Sequence, residues 1–522
     1  MNILVLNGSP AGKNSITLQT VEYLQACGLM ETCQILDVGQ KIKGIEKDFR
    51  EAEELLDQAD LILFVYPVYT FLVPSQLHRF VELIKEKHID LSGKYAAQIT
   101  TSKHFYDMTA HRFIEDNCHD LGLRYIGGLS ADMDDLLHEK GQKEAREFFS
   151  FVLWNMDHGI YKHHWTREST KERQMASVHG VNTMIRKGTA AIVYDDDPES
   201  PDPYLQAMLE RFRNRISLNC RRINLREFPF AGGCLGCFHC AVDGTCIYKD
   251  GFDSYLREKI NSADAVIYAF RIRDHSMGSL FKMYDDRQFC NGHRTVTMGK
   301  PVGYIIDGIL SEEENLRTVI EARAEVGGNF LAGIACDEND PDRAVDQLAD
   351  TIEYAVYHNY QQPKNFYGVG GLKIFRDLIW QMQGLMKEDH RFYKEHGFYD
   401  FPQKKKGMIA AMYLVSSLMN NKTLRKKIPV NMTEGMLMPY KAVIEKTRKT
   451  KDKKMTGITG HYLSSTGTCA GAAFSLINRQ SSSLRSISKH FTVSRIVSAR
   501  RKPISRFRSG YCFSVQASIR FA

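Results

Sequence analysis

The chain of 522 residues lacks several features that mark particular classes of protein. It contains no run of about 18 consecutive apolar residues, so no segment is predicted to span a bilayer. The apolar start has no basic segment ahead of it and stops at Gly8, which argues against a signal peptide. We therefore expect a cytoplasmic protein. In such a protein the twelve cysteines are expected as thiols or metal ligands, not as disulfides.

Acidic residues are missing from one long stretch. From His461 to Ala522 there is no Asp or Glu, but there are ten Lys or Arg and fourteen Ser residues. The formal net charge of +7 arises there, because residues 1–460 hold 59 basic and 62 acidic residues, a net charge of −3. We predict that residues 457–522 form a basic, Ser-rich, disordered tail, and we do not expect nucleic acid as a partner.

Residues 1–156 alternate short apolar runs with helical patterns. The apolar runs are continuous and do not alternate with polar residues, which is typical of parallel strands covered on both faces. This order predicts a doubly wound α/β domain. The predicted strands are Ile3–Leu6, Gln34–Val38, Leu61–Tyr66, Tyr95–Thr101 and Arg124–Leu129.

The pattern restarts after a linker predicted over residues 157–187. The pair Ala59-Asp60 returns as Ala263-Asp264, 204 residues later, which indicates an internal repeat. We predict a second domain of the same class over residues 188–359 and a helical extension over 360–456, including a short buried helix at Met408–Met419. The second set of strands is predicted at Ala190–Tyr194, Arg222–Leu225, Ala265–Phe270, Val302–Ile306 and Phe330–Ile334.

The loop after the first strand, residues 7–17, is rich in small, hydroxyl and amide residues. Such a loop directs backbone N–H groups and a helix N-terminus toward an anion. It is not the loop of nucleoside triphosphate enzymes, because Asn14 stands where Ser or Thr is needed, and it lacks the G-x-G-x-x-G dinucleotide fingerprint. A phosphate site is the functional interpretation, and an ordinary capped strand-to-helix turn is the alternative.

Two further loops follow strands that end at the same edge of the predicted sheet. Residues 66–76 combine aromatic and apolar side chains with two prolines, which suits a rigid wall against a flat ring. Core packing of these aromatics is the alternative. Residues 100–106 supply a polar rim. Together the three loops predict a mononucleotide pocket with a planar head group.

At these residues the chain resembles the flavodoxin-like NADPH-dependent FMN reductases, through I-L-V-L-N-G-S-P at 3–10, Y-P-V-Y at 66–69 and P-S-Q-L at 74–77. The resemblance implies FMN as cofactor and NAD(P)H as co-substrate. It implies that the phosphate binds at Ser9, Lys13, Asn14 and Ser15. It implies that the ring binds at Pro67, Val68, Tyr69 and Phe71, with Thr101 and Ser102 as further candidates.

A cysteine motif lies where the second copy has gained about 17 residues, Cys234-x2-Cys237-x2-Cys240-x5-Cys246. Four thiolates so close in sequence can converge on one soft metal site. The tight spacing is typical of a cubane iron–sulfur cluster, whereas zinc usually takes two separated pairs, and free redox thiols remain a third alternative. The segment resembles the iron–sulfur flavoproteins, which implies that these four cysteines bind a [4Fe–4S] cluster.

The two copies look complementary. The second has Asp195, Asp196 and Asp197 where the first has its phosphate loop, and the first has no cysteine motif. We therefore predict a fused pseudo-dimer of two tandem flavodoxin-like sheets, with flavin in the first copy and the cluster in the second.

The predicted function is that of an NAD(P)H oxidoreductase. Electrons would pass through FMN to the cluster, or to a small acceptor such as a quinone or a redox protein. The alternatives are a non-enzymatic flavodoxin-like electron carrier and a cysteine-based redox or zinc module. No catalytic acid or base is predicted, and assembly of the chain into a homo-oligomer is left open.

Overall fold

A computed structural model describes residues 1–30, 33–162, 172–178, 180, 187–338, 340–362 and 364–420. Residues 1–405 form one compact unit, and the helix that begins at Lys406 belongs to a second unit. The tail predicted over 457–522 and much of the linker predicted over 157–187 lie outside the described residues. The predicted domain boundaries stay predictions.

Five parallel strands form the sheet of the first half of the chain, in the order β2-β1-β3-β4-β5. Helices pack on both faces of this sheet, and the three central strands are buried almost throughout, which explains their continuous apolar sequence, whereas the two edge strands are partly exposed. The strands are β1 Ile3–Asn7, β2 Cys33–Leu36, β3 Leu61–Pro67, β4 Tyr95–Ser102 and β5 Arg124–Asp132. The helices are α1 Ile16–Ala26, α2 Val38–Lys47, α3 Arg50–Gln58, α4 Ser75–Glu86, α5 Asp107–Asp120 and α6 Glu139–His158.

The second half of the chain repeats this topology in the order β10-β9-β8-β6-β7. Every pairing in both sheets is parallel. The strands are β6 Thr189–Tyr194, β7 Asn219–Asn224, β8 Ala265–Arg271, β9 Pro301–Asp307 and β10 Phe330–Cys336. The helices are α7 Pro203–Arg215, α8 His239–Asp243, α9 Phe252–Tyr255, α10 Ser279–Arg287, α11 Glu314–Gly327 and α12 Pro341–His358. The prediction of two tandem flavodoxin-like sheets is confirmed.

The repeat is also visible in single hydrogen bonds. Asp60 accepts a hydrogen bond from the backbone N–H of Asn2, at 2.6 Å, and Asp264 accepts the equivalent bond from Thr189, at 2.9 Å. These are the acidic residues that revealed the repeat in the sequence. Their shared role explains the match, because each ties the start of the third strand to the start of the first strand of its own sheet.

The two halves meet through α4 and α10, which are equivalent helices of the two sheets. The N–H of Ser75 at the start of α4 donates to Asp286 of α10, at 2.9 Å, and the N–H of Ser279 at the start of α10 donates to Glu82 of α4, at 2.6 Å. Each helix therefore supplies a carboxylate to the positive N-terminus of the other. This reciprocity is the pattern of a twofold dimer, here built within one chain.

The extension contains α13 Phe366–Gln381, α14 Lys387–Glu395 and α15 Lys406–Asn420. Of these, α13 packs against α11 of the second half. The helix predicted at Met408–Met419 is confirmed as α15, but its predicted burial is wrong, since Met408, Met412 and Leu414 are exposed. No helix in the described part of the chain is both long and apolar enough to cross a membrane.

Candidate functional site

The loop after β1 is held in shape by Asn7, the last residue of that strand. The Asn7 amide donates to the carbonyl of Gly12, at 3.0 Å, and its oxygen accepts from the N–H of Ser9, at 3.2 Å. Ser15 ends the loop and caps α1 by accepting from the N–H of Leu18. Ser9 and Ser15 are both buried at the carboxyl end of the sheet. The loop therefore holds its hydroxyl groups and the N-terminus of α1 in a fixed geometry, as a phosphate group requires.

Gly39 of α2 lets this loop approach the helix. A Cβ atom at position 39 would lie 2.3 Å from the carbonyl carbon of Ser9, which is backbone and cannot move aside. The close approach of α2 to the loop thus depends on the absence of a side chain. Such a cradle fits the phosphate of a mononucleotide.

The second loop begins with Pro67, Val68 and Tyr69, and turns back sharply at Thr70 and Phe71. Both turn residues have a positive φ, 44° and 70°. The N–H groups of Tyr69 and Leu72 each donate to the carbonyl of the other, at 2.9 and 3.0 Å. This rigid turn fixes the wall that was predicted to face a planar ring.

These loops line a cavity of about 320 Å³ together with the cysteine motif of the second half. Eight of the ten predicted cofactor residues lie on its wall, namely Ser9, Asn14, Ser15, Pro67, Val68, Tyr69, Thr101 and Ser102. All four predicted metal ligands lie on the same wall, namely Cys234, Cys237, Cys240 and Cys246. The structure therefore brings together residues that are more than 130 positions apart in the sequence.

Two predicted residues stand apart from this wall. Lys13 is exposed on the outside of the phosphate loop. Phe71 is buried, and its ring packs against Phe105 and Tyr106 with centroids 5.0 and 4.7 Å away. It lines a neighbouring cavity of about 140 Å³. For Phe71 the core-packing alternative describes the structure better than contact with a ring.

The cysteine loop rests directly on the second loop of the first half. Gly236, with φ 62°, lies so close to Tyr69 that a Cβ atom at position 236 would overlap the tyrosine hydroxyl. Gln76 also donates to the carbonyl of Cys234, at 3.4 Å. The glycine inside the motif thus serves the contact between the two halves.

Arg287 of α10 fixes the base of the cysteine loop. Its guanidinium is almost fully buried and binds both carboxylate oxygens of Asp250, each at 2.8 Å, and the carbonyl of Gly232, at 2.9 Å. The Tyr248 ring lies 4.4 Å from the guanidinium carbon. Because the two ends of the loop are joined through one buried cation, the cysteines between them are held in place.

Burial controls the chemistry of the thiols. It raises the pKa of Cys234, and it raises the pKa of Cys240 to about 11. At neutral pH these groups keep their protons unless a metal centre stabilises the thiolates. Four thiols around one cavity form a donor set that fits a soft metal centre.

Sequence reasoning missed several residues of the cavity wall. They include Met133, Arg287, Phe289, Cys290, His293, Ile374, Phe375 and Leu378. The last three come from α13, whose ring Phe375 packs on Phe105 with centroids 4.3 Å apart. The apolar stripe of α13 can be recognised in the sequence. The surface on which it packs cannot, because nothing local in the sequence links α13 to the first half.

In the second sheet, the side chain of Arg173 occupies the space at the carboxyl ends of β9 and β10. Arg173 pairs with Asp307, and with Asp337 at 2.5 Å, while its guanidinium lies 4.2 Å from the centre of the Tyr204 ring. Both carboxylates are fully buried. These residues form an acidic pocket closed by an arginine, and the absence of an FMN site of the same kind from this half stays a prediction.

The comparisons with known proteins agree with this architecture. Residues 1–112 match the family model of the NADPH-dependent FMN reductases. An iron-sulfur flavoprotein of Archaeoglobus fulgidus is similar at 27% identity over 209 residues, covering 37% of this chain and 91% of that protein.

Two solved structures resemble parts of the chain. One is an FMN-dependent NADH-azoreductase from Bacillus anthracis in complex with FMN, with 14% identity, coverage of 28% of this chain and 97% of that chain, and a TM-score of 0.24. The other is an NADPH-quinone reductase from P. pentosaceus, with 15% identity, coverage of 30% and 97%, and a TM-score of 0.24.

The fold and the family match define a flavodoxin-like flavoprotein. Residues 1–112 match the model of the NADPH-dependent FMN reductases, which supports an NAD(P)H-dependent oxidoreductase, and the two equivalent sheets agree with a tandem duplication.

Proposed function

We propose that the first half binds FMN, that NAD(P)H reduces it, and that Cys234, Cys237, Cys240 and Cys246 hold a [4Fe–4S] cluster that takes up the electrons. A small acceptor such as a quinone, or a redox protein, would be the final acceptor. One observation carries this proposal: the FMN loops of the first half and the four cysteines of the second half line a single cavity.

The residues divide the binding of FMN between two loops. The hydroxyls of Ser9 and Ser15 and the side-chain amide of Asn14 would hold the phosphate at the N-terminus of α1. Pro67, Val68 and Tyr69 would face the ring, with Thr101 and Ser102 at its polar edge. When bound, FMN supplies the chemistry, since it accepts a hydride and releases electrons singly or in pairs.

One side of the cavity is apolar. Ile374, Phe375 and Leu378 of α13 line it there. Tyr69 of the second loop contacts Gly236 of the cysteine loop. The apolar side chains would limit the access of water to bound FMN.

The spacing of the cysteines along the chain favours a cluster over zinc. Zinc usually takes two separated pairs of ligands, whereas C-x2-C-x2-C spacing is typical of a cubane cluster. The name of the Archaeoglobus fulgidus relative adds support for this choice.

The test is an anaerobic purification followed by absorption spectroscopy and by analysis for iron, zinc and flavin. We expect that Cys237→Ala removes iron and cluster absorption and leaves FMN bound. Cys290→Ala is the matched control, because Cys290 lines the same cavity outside the motif, and it should keep both. Loss of FMN with retention of iron in Cys237→Ala would contradict the assignment. Steady oxidation of NAD(P)H separates an enzyme from a simple electron carrier.

A further inference from the structure

A buried histidine lies at the contact between the two halves without a hydrogen-bond partner. The His78 side chain of α4 is fully buried, and neither ring nitrogen forms a hydrogen bond within the described residues. Its Nε2 faces Asp274 Oδ2 at 3.8 Å and Glu82 Oε1 at 4.0 Å. Both distances are too long for hydrogen bonds. Because unpaired buried polar groups are rare and costly, this arrangement points to a missing partner.

The two carboxylates belong to a network with excess negative charge. Glu82 is bound by Arg79 and by Ser279, and Asp274 by Lys85 at 3.0 Å. Each cation also serves other acids, and the Arg79 cluster and the Lys85–His275 cluster, which meet at His78, together hold six carboxylates and three basic groups besides His78. The members are Glu46, Glu82, Glu86, Asp120, Asp274 and Glu313 with Arg79, Lys85 and His275. A further cation at His78 would reduce this excess.

The other side of the pseudo-twofold contact shows what such a cation does. Lys282 of α10 occupies the position equivalent to His78, 204 residues later, and is also fully buried. Its ammonium donates to the carbonyl of Tyr69, at 2.9 Å, and pairs with Asp286, the equivalent of Glu82. One side of the contact therefore carries a built-in cation. On the other side, His78 replaces the lysine and the acidic Asp274 replaces Thr70.

We propose that His78, Glu82 and Asp274 bind a divalent metal ion of the class that accepts imidazole together with carboxylates, such as Mn²⁺ or Zn²⁺. The three ligand atoms lie within 4.8 Å of one another. Ligands about 2.1 Å from a tetrahedral ion are about 3.4 Å apart, so the two measured contacts need to shorten by roughly half an ångström.

The ion would join the two halves of the chain. His78 and Glu82 are one turn apart on α4, and so present their ligand atoms on the same face of that helix. Asp274 comes from the turn after β8 in the second half. Metal binding would add a cross-link at the helix contact that positions the cysteine loop against the first half.

The test uses the full chain with its flavin and iron in place, and Mn²⁺ as the probe. Thiolates are poor ligands for Mn²⁺, so the cysteine motif does not compete for it. Binding is followed by loss of the electron paramagnetic resonance signal of free Mn²⁺. We expect one saturable site per chain and a thermal midpoint that rises with Mn²⁺ concentration.

Three variants sharpen the test. His78→Lys reproduces the cation of the other side and should fold, but bind no Mn²⁺. Asp274→Asn should weaken binding about tenfold or more. Glu86→Gln removes one charge from an exposed member of the same network, and should leave the affinity within about twofold.

Two results would overturn the proposal. In the first, wild type binds no Mn²⁺ and the His78 ring is found protonated by nuclear magnetic resonance, which identifies an imidazolium ion pair. In the second, Asp274→Asn binds Mn²⁺ as tightly as wild type does. The Asp274→Asn result decides the question even if His78→Lys fails to fold.

Discussion

The ends of β1 and β6 occupy equivalent places in the two sheets, yet their surroundings differ in charge and in space. The first is followed by a loop without acidic residues that is held by Asn7 and capped by Ser15. The second is followed by Asp195 and Asp196, both buried, and its helix is capped by Asp202, the counterpart of Ser15. The same backbone turn thus offers hydroxyls to an anion in one half and repels an anion in the other.

The segments that follow β2 and β7, the second strands of the two sheets, also differ in charge and in space. Gly39 leaves room for the backbone of Ser9, whereas its counterpart Arg226 carries a long side chain that pairs with Asp195, at 2.8 Å. The comparison teaches that one fold can carry an anion loop in one copy and an ion pair in the other. The Arg226–Asp195 pair of the second half stands where Gly39 approaches the loop in the first half. The sheet and its topology are the same in both halves.

The helices α4 and α10 show a feature that only the second half has. Leu83 of α4 packs in the core, and its counterpart Arg287 of α10 anchors the cysteine loop. The second half therefore lacks the loop of the first at one strand and carries the four cysteines beside another. The proposed function assigns FMN to the first half and the cluster to the second.

The largest effect is expected at this anchor. Arg287→Met leaves Asp250 buried without its cation, and breaking such a pair costs about 3–5 kcal/mol. We expect the free energy of unfolding to fall by that amount, and iron to be lost while FMN stays bound. Urea unfolding and iron analysis measure both effects.

The control for Arg287 is Arg257→Gln. Arg257 donates to the carbonyl of Gly244 in the same loop, at 2.6 Å, but its side chain is 42% exposed. The loss should stay below about 1 kcal/mol, because solvent replaces the contact. Equal losses in both variants would show that burial of Arg287 has no special role.

The next effect concerns the cradle of the first half. Gly39→Ala forces α2 and the Ser9 backbone apart, and overpacking of this kind costs about 1–3 kcal/mol. We expect FMN affinity, measured by fluorescence titration, to fall about 100-fold at the upper end of this range. Gly44→Ala is the matched control on the same helix, since a Cβ atom at position 44 meets nothing within 4 Å. If both variants bind FMN equally well, the cradle is not the phosphate site.

The smallest effect comes from exchanging the two helix caps. Ser15→Asp places the cap of α7 on α1, and should keep the free energy of unfolding within about 0.5 kcal/mol, because Asp caps as well as Ser does. A carboxylate near a phosphate should still weaken FMN binding about tenfold. Ser15→Ala should lose about 1 kcal/mol in stability and should weaken FMN binding less than Ser15→Asp does. Undiminished FMN affinity in Ser15→Asp would place the phosphate elsewhere.

The sequence predicted all ten strands, because buried parallel strands read as continuous apolar runs. It missed α10, whose buried residues include Lys282, Asp285, Asp286 and Arg287. Their partners lie in other segments, so no helical stripe of apolar residues marks this helix. It also missed α2, in which Gly39 and Gly44 weaken the helical signal.

The parts of the candidate site that are formed by residues close together in the sequence could be predicted. The phosphate loop and the cysteine spacing are short motifs, and the division between copies followed from comparing them. The contact of Gly236 with Tyr69 and the apolar wall from α13 were not predictable, because both depend on how separate segments pack. Phe71 shows the same limit, since its positive φ turns it into the core.

The division of chemistry between the two halves is tested most directly by counting cofactors. The measurement is the amount of FMN and of iron per chain in anaerobically purified wild-type protein. One FMN and four iron atoms per chain are predicted, because only the first half keeps the phosphate loop and only the second half has the four cysteines. Two FMN per chain, or one FMN without iron, would contradict the account.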